Sequence, residues 1–528
     1  MGNTSQTDGT ILRLAAIVSL GGFVFGYDAV VISGAIDPVA QRFSLSAWHK
    51  GFLVAVPTLT AIFGTLLVGP LSDRYGRKAL LLTVAWLYIV SALTSAVATD
   101  AWMLTVSRAL GGFAFSSLVL GPLYISETAA ARHRGQMVSM NQIAIVIGLS
   151  VAYFSNLLVT SLSVTIPGQG LSLLGVASWR WMFALELMPA IVWLLALTAI
   201  PETPRWLLGQ GQTEKARTLL ERLHGVSHAR DLMQRAHAEL SARKPGLVTV
   251  LAILRSPAFI AIFAIASVVA VAQQITGVNA IYFYAPTVFH QTGAGINASL
   301  LQASVIGVLN LVFTFVAFLL VDRVGRRPLL LGGLIGIFVS MILVGIGFDQ
   351  ARYLLDADAL LRLPAELQAG LAPLVGQAFE SDLAFNAALR EVLSDADYRL
   401  HRNLLLELAV EINAPLILFG LCLFVASFAS SLGPVMWIFL SEVFPGPVRG
   451  IALAMAAALN SLTSFLVQLA FPVELERIGA AATFWIYGGF AVAFAALIWA
   501  VVPETKGRTL EEIQASFTRT QRATPPKS

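Results

Sequence analysis

Charge is what this 528-residue sequence has least of: Asp, Glu, Lys and Arg together make up 12% of it, about half the share in a soluble globular protein. That shortage excludes a disordered chain and one that coats nucleic acid, and a net charge of +4 demands no anionic partner. Cysteine is nearly absent. The one thiol, Cys422, excludes intramolecular disulfides, cysteine-based zinc sites and iron–sulfur clusters. Residues 1–10 carry no basic stretch ahead of a short apolar core, so no cleavable signal peptide is expected and the first hydrophobic segment should persist as a helix. No nucleophile–base pair, metal cluster or phosphate-binding loop is present, so neither an enzyme nor a cofactor is expected.

What the sequence has instead is hydrophobic length. Apolar residues account for 57% of the chain and fall in blocks of about twenty, enough to cross a hydrocarbon core of about 30 Å. Twelve spans are expected, at 11–36, 51–71, 79–98, 103–124, 136–160, 179–200, 257–288, 298–321, 328–348, 412–440, 450–474 and 483–502. With the N-terminus inside, short inner loops hold Arg74, Arg77, Lys78, Arg132, Arg134, Arg323, Arg326, Arg327 and Arg449. Short outer loops hold only Arg42, Lys50, Arg180 and Arg477. This asymmetry predicts cytoplasmic termini, and "inner" and "outer" denote the faces it assigns.

Two polar stretches interrupt the pattern. Residues 201–256 form an inner linker with a short amphipathic helix, capped by Thr213, striped by Ala216, Leu219, Leu220 and Leu223, and stopped at Gly225. Residues 349–411 form an outer insertion, helical as in 386–393, with eleven acids against five Arg and no run long enough to span. It reads as a surface embellishment. The expected organisation is therefore an N-terminal half (1–200), the linker (201–256), a C-terminal half (257–502) carrying the insertion, and a tail (503–528).

The chain also repeats itself. Gly69-Pro-Leu-Ser-Asp-Arg-Tyr-Gly-Arg-Lys78 is echoed by Asp322-Arg-Val-Gly-Arg-Arg327. Glu127 followed by Arg134 is matched at the same spacing by Glu442 and Arg449, and Pro201-Glu202-Thr203 by Pro503-Glu504-Thr505. Three echoes in one order indicate a parallel duplication of six-span halves. Asp73, Arg74, Arg77, Glu127, Arg134 and Glu202, with Asp322, Arg323, Arg326, Glu442, Arg449 and Glu504, then form an inner charge network. Pairing of Glu127 with Arg134 and of Glu442 with Arg449 is expected to latch one conformation where it is dehydrated.

Polar groups at bilayer depth are costly and mark function. In span seven, Gln273-Gln274 and Asn279 supply amides, each able to donate to and accept from a hydroxyl. Binding of a polyhydroxyl ligand and glue between helices are equally open for them. On an ideal helix Gln274 and Asn279, five apart, face different ways unless Gly277 and Pro286 distort it. Asp28, Arg108 and Glu186 lie at about 12, 8 and 10 Å from the outer span ends, within one layer. A carboxylate whose Arg contact changes between conformations changes its proton affinity, which is a means of proton coupling; a permanent Asp28–Arg108 brace is the plain alternative.

These residues carry a resemblance. Gly26-Tyr-Asp-Ala-Val-Val-Ile-Ser-Gly34, the Asp73 and Asp322 loops, Pro122-Leu-Tyr-Ile-Ser-Glu127, Pro201-Glu-Thr-Pro-Arg205 and Gln273-Gln-Ile-Thr-Gly-Val-Asn279 resemble the sugar porter family of the major facilitator superfamily over nearly the whole length. The resemblance implies an all-α membrane protein of twelve transmembrane helices in two pseudo-symmetric halves. It implies that Gln142, Asn310, Trp437 and Asn460 join the span-seven amides in a sugar pocket, and that Asp28 couples transport to a proton. Trp437, after a Gly433-Pro434 break, would stack on a sugar face. Departures from the family pattern are Ser461 where a Trp is common, Phe283 in place of the first tyrosine of a pair, no proline in the 128–134 loop, and the long outer insertion.

The expectation is thus a monomeric symporter of the cell membrane, plasma or bacterial inner, that imports a monosaccharide or polyol with a proton by alternating access. Its partners are the sugar, the proton and the lipid bilayer. A passive facilitator is the alternative within the fold. A non-transporting sugar sensor is the alternative outside it, for which residues 503–528 are too short a signalling tail.

Overall fold

The computed structural model describes residues 2–129, 134–166, 170–226, 229–230, 232–234 and 247–507. Among them, twelve helices are long and apolar enough to cross a membrane. They are span 1 (Gly9–Arg42), span 2 (Ala47–Tyr75), span 3 (Arg77–Ala96), span 4 (Ala101–Thr128), span 5 (Gly135–Ser161), span 6 (Ser178–Thr198), span 7 (Pro257–His290), span 8 (Ile296–Val324), span 9 (Arg326–Asp349), span 10 (Ala414–Val443), span 11 (Gly446–Arg477) and span 12 (Gly479–Val501). Each overlies one expected segment. Glycines set two boundaries: Gly76 (φ 99°) separates spans 2 and 3, and Gly325 (φ 105°) separates spans 8 and 9. Only glycine adopts that backbone without strain.

By contact the chain forms two compact units. The first comprises Met1–Val31, Val56–Ala152 and Arg180–Ala252; the second comprises Ile32–Ala55, Tyr153–Trp179 and Ile253–Ser528. In the first, spans 1 and 5 meet backbone to backbone, since a Cβ on Gly26 would strike the Ile145 carbonyl and one on Gly148 the Phe23 carbonyl. Small residues permit such approach where no hydrophobic force favours helix association in lipid. The core of this unit runs from Val18, Leu81 and Trp193 down to Leu207, Ala216, Leu219 and Leu223 of the linker, so the predicted stripe is buried as expected. Thr213 does not cap that helix. It is the first helical residue of Thr213–His224, preceded by Gln212 without a capping side chain, and Gly225 (φ 78°) ends it.

The second unit contains the outer ends of spans 1, 2 and 5 together with spans 7–12. Asp37 of span 1 takes a 2.8 Å ion pair from Lys50 and a 2.9 Å hydrogen bond from Thr287 of span 7. The Tyr153 hydroxyl donates to the Tyr282 carbonyl. A three-stranded antiparallel sheet, β1 (Val164–Ile166), β2 (Gly170–Leu173) and β3 (Val176–Ala177), follows span 5; its short strands gave no reading in the sequence.

The outer insertion is more than a set of helices. Strands β4 (Arg352–Leu354), β5 (Ala378–Phe379) and β6 (Val410–Glu411) pair antiparallel in the order β5-β4-β6 and tie its two ends together. Helices Asp382–Val392 and Asp395–Ala409 close over a core of its own, in which Phe385, Leu389, Leu405 and Leu371 are fully buried and Tyr353 stacks on Phe385 at 5.6 Å. The module is fixed to span ends: Arg390 pairs with Glu476 at 2.7 Å, and the Asp382 carboxylate sits where a Cβ on Gly479 would lie 2.9 Å from it.

Candidate functional site

Span 7 is two helices, Pro257–Ile275 and Val278–His290, with Gly277 left-handed at φ 91° between them. The break does what an ideal helix would not. It turns Asn279 back on Gln274, and Asn279 Nδ2 donates to Gln274 Oε1 at 2.9 Å and to Ser464 Oγ at 2.5 Å. Gln274 Nε2 donates to Gln273 Oε1 (3.1 Å) and to Asn460 Oδ1 (3.2 Å), and Asn460 Nδ2 to Gln273 Oε1 (2.9 Å) and the Ala270 carbonyl (2.8 Å). Three of the predicted pocket amides from span 7 and one from span 11 therefore form one connected network. All four are buried or half-buried.

Gln273 differs from its neighbours. Its Nε2 donates to the Leu432 and Gly433 carbonyls at 3.1 and 3.0 Å, in the first turn of the helix Leu432–Val443. Span 10 is broken at Ser430–Ser431, so the interruption precedes Gly433-Pro434; Pro434 falls in the first helical turn, where its missing N–H costs nothing. Gln273 thus stitches the break in span 10 to span 7. Trp437, on that second helix, is 46% exposed, Asn310 on span 8 is buried, and Gln142 on span 5 is an exposed residue of the other unit. Ser464 and Gln468, which donates to Ser464 Oγ at 2.7 Å, are additions the sequence reading missed; polar residues four and eight positions after Asn460 were the available signal.

In the first unit the expected ionisable cluster assembles. Arg108 Nη1 donates to Asp28 Oδ1, and Nη2 to the Asp28 carbonyl at 3.1 Å. Glu186, at the junction of helices Ser178–Leu185 and Leu187–Thr198, is within electrostatic reach of both. All three are at most 1% exposed. Asp28 Oδ2, Glu186 Oε1 and Arg108 Nε have no hydrogen-bond partner among the described residues. Gly111 makes room for this packing, because a Cβ there would be 2.9 Å from Asp28 Oδ2 and 2.7 Å from Ser91 Oγ. Gly111 was another residue that sequence reasoning passed over.

The inner charges form two clamps of the same design, one in each unit. Arg77 pairs with Glu127 (3.0 Å) and Asp73 (2.8 Å), and its N–H donates to Glu202 Oε1 at 2.9 Å. Arg326 pairs with Glu442 (2.8 Å) and Asp322 (3.3 Å), and its N–H donates to Glu504 Oε1 at 3.0 Å. Thr203 donates to Glu127 at 2.7 Å as Thr505 does to Glu442 at 2.6 Å. The expected Glu442–Arg449 pair is not made, since Arg326 and Thr505 take the Glu442 oxygens and Arg449 Nε donates to the Phe444 carbonyl instead. Glu127 is likewise committed to Arg77 and Thr203, while the Arg134 side chain lies outside the described residues. Arg74 stacks over Tyr75, and Arg323 offers its carbonyl to Lys506.

Twelve spans in duplicated halves, with polar clusters in mid-span and matching clamps at the inner loops, define a polytopic membrane transporter rather than a receptor of few spans. The chain belongs to the sugar transporter family of the major facilitator superfamily: the family described as "Sugar (and other) transporter" matches residues 14–355 and 404–517, leaving only part of the outer insertion unmatched within that stretch. The chain is 32% identical to the D-xylose-proton symporter of Escherichia coli (strain K12), with 97% of each protein covered. It is 30% identical to the arabinose-proton symporter of Bacillus subtilis (strain 168), over 97% of this chain and 96% of that one. Among solved structures it resembles the inward-open conformation of the xylose transporter XylE from E. coli, with a TM-score of 0.73, 29% identity and 96% and 99% of the two chains covered.

Proposed function

We propose that this protein imports a monosaccharide together with a proton across the cell membrane by alternating access, as a monomer with both termini in the cytoplasm. The observation that carries the coupling is the charge count in the first unit: one guanidinium faces two buried carboxyls, Asp28 and Glu186. With both carboxyls ionised, one negative charge stands uncompensated among side chains at most 1% exposed, and taking up one proton cancels it. When Arg108 shifts between the two carboxyls, the proton is taken or released.

The amide network supports the sugar end of the reading. Amides that hydrogen-bond one another present donors and acceptors that a ring of hydroxyls can replace one for one. We assign Gln274, Asn279, Asn460, Asn310 and Trp437 to sugar contact, and Gln273 to both contact and bracing of span 10. The names of the relatives, D-xylose and arabinose symporters, favour a pentose. The six-span halves, 1–200 and 257–502, are the bodies that alternate, and the Arg77 and Arg326 clamps hold the inner ends within each half.

The test is uptake of labelled D-xylose, L-arabinose and D-glucose into proteoliposomes with and without an inward proton gradient. Accumulation of one sugar above the outside concentration only when the gradient is imposed is the expected result. Equilibration at the same rate in both conditions would make the protein a facilitator. Saturable binding without any flux would make it a sensor.

A further inference from the structure

On the outer face of the second unit, a cavity of about 350 Å³ opens between the end of span 5, strand β2, the start of span 8 and the insertion. This lies within the range of about 300–1,000 Å³ typical of small-molecule sites. Its floor is the first turn of span 8, residues Gly295 to Ala298, which no side chain caps; the first N–H engaged within the helix is that of Ser299, bonded to the Gly295 carbonyl at 2.9 Å. Free N–H groups and the positive end of the helix dipole therefore face the cavity. A second observation is independent of the helix. Thr160, at the end of span 5, lines the same cavity, is 4% exposed, and its hydroxyl has no hydrogen-bond partner among the described residues. Glu407 of the insertion stands at the same helix end, its Oε1 3.3 Å from where a Cβ on Gly295 would lie and its Oε2 3.8 Å from His290 Nε2.

This set of groups selects a ligand class. The helix end repels a cation, and the Glu407 carboxylate repels an anion. A neutral polyol satisfies both, because each hydroxyl donates to a carboxylate and accepts from an N–H. Ser163 and Asn297 add further partners of both kinds. We propose that this cavity is an outer loading site for a neutral sugar, with Glu407 as the insertion's contribution, from which substrate passes to the central amides. The proposal rests on the sugar-transport reading and on the orientation it carries.

The test uses the full chain in nanodiscs with D-xylose as probe. Cys422→Ser removes the native thiol, and Leu404→Cys, one helical turn from Glu407, carries an environment-sensitive fluorophore. A saturable fluorescence change is expected, and it should persist in Gln274→Ala/Asn279→Ala, where central binding is disabled. Its half-saturating concentration should rise about tenfold in Thr160→Val/Glu407→Gln, the loss expected for two hydrogen bonds. In transport that second variant should raise KM with kcat within about twofold of the parent, the signature of lost uniform binding. Disappearance of the signal in the central variant, an unchanged signal in Thr160→Val/Glu407→Gln, or a stronger response to inorganic phosphate or choline than to D-xylose would each overturn the proposal. A D-xylose signal with these mutational effects in a protein that moves no sugar would uphold the site and reject the transport reading.

Discussion

Asp28 and Gln273 illustrate how differently two polar side chains in a membrane can serve. Asp28 has one oxygen on Arg108 and one without a hydrogen-bond partner among the described residues, and the proposed coupling places the exchanging proton there. Asp28→Asn keeps size and one acceptor but carries no proton. It is expected to abolish the roughly fiftyfold accumulation that one proton supports at 100 mV while leaving sugar counterflow intact; accumulation under a pH gradient in the variant would reject the assignment. Gln273, by contrast, donates to two carbonyls freed by the break in span 10. Gln273→Ala should therefore lower the melting temperature as well as affinity, whereas Gln274→Ala should cost affinity by about 1–3 kcal/mol, roughly five- to a hundred-and-fiftyfold, with little change in Tm. Calorimetric binding and thermal unfolding of both variants separate the two roles. The sequence showed these amides as a motif but left Gln274 and Asn279 on different faces. Only the left-handed Gly277, held beside Tyr487 where a Cβ would meet the ring at 3.3 Å, brings them together.

Each element end is fixed by a device that the linear charge pattern half reveals. The echo between residues 69–78 and 322–327 was visible as sequence, and it folds into two clamps in which the Arg77 and Arg326 N–H groups each donate to a glutamate, Glu202 and Glu504. Their acid–base partners were not readable from spacing, because Arg77 and Glu127 are fifty residues apart and meet only when spans 3 and 4 pack. Glu504 gives this element a pH dependence. Burial opposes its ionisation, but N–H donors from Lys506, Arg326, Arg327 and Thr505 outweigh that and hold its pKa below the usual carboxylate range. A carboxyl that titrates lower when folded contributes stability above its unfolded pKa and loses it as pH falls through the folded one. Amide exchange at Arg326 and Arg327, corrected for intrinsic rate, should therefore stay slow from about pH 7 to about pH 5 and quicken only at lower pH. In Glu504→Gln it should be faster throughout and nearly independent of pH. Equal protection in both proteins would mean the clamp does not hold these amides.

For the whole molecule, the orientation rests on where a few basic residues stand. In a Cys422→Ser background, a membrane-impermeant maleimide applied to intact cells should label Asn297→Cys, and should label Lys506→Cys only after permeabilisation; the reverse pattern would invert the topology. The sequence by itself determined the twelve spans, their sidedness as an expectation, the duplication and the identity of the charged and amide residues at bilayer depth. Those follow from hydrophobic length and from the cost of polar groups in lipid, both of which are local properties of the chain. Tertiary structure alone decided which of those residues meet. The break at Gly277, the exchange of Arg449 for Arg326 as partner of Glu442, and the sheet that ties residues 352–354 to 410–411 all join positions distant in sequence or turned away from one another on a regular helix. Such pairings depend on helix packing and on one positive φ, and neither leaves a periodic trace in the order of the amino acids.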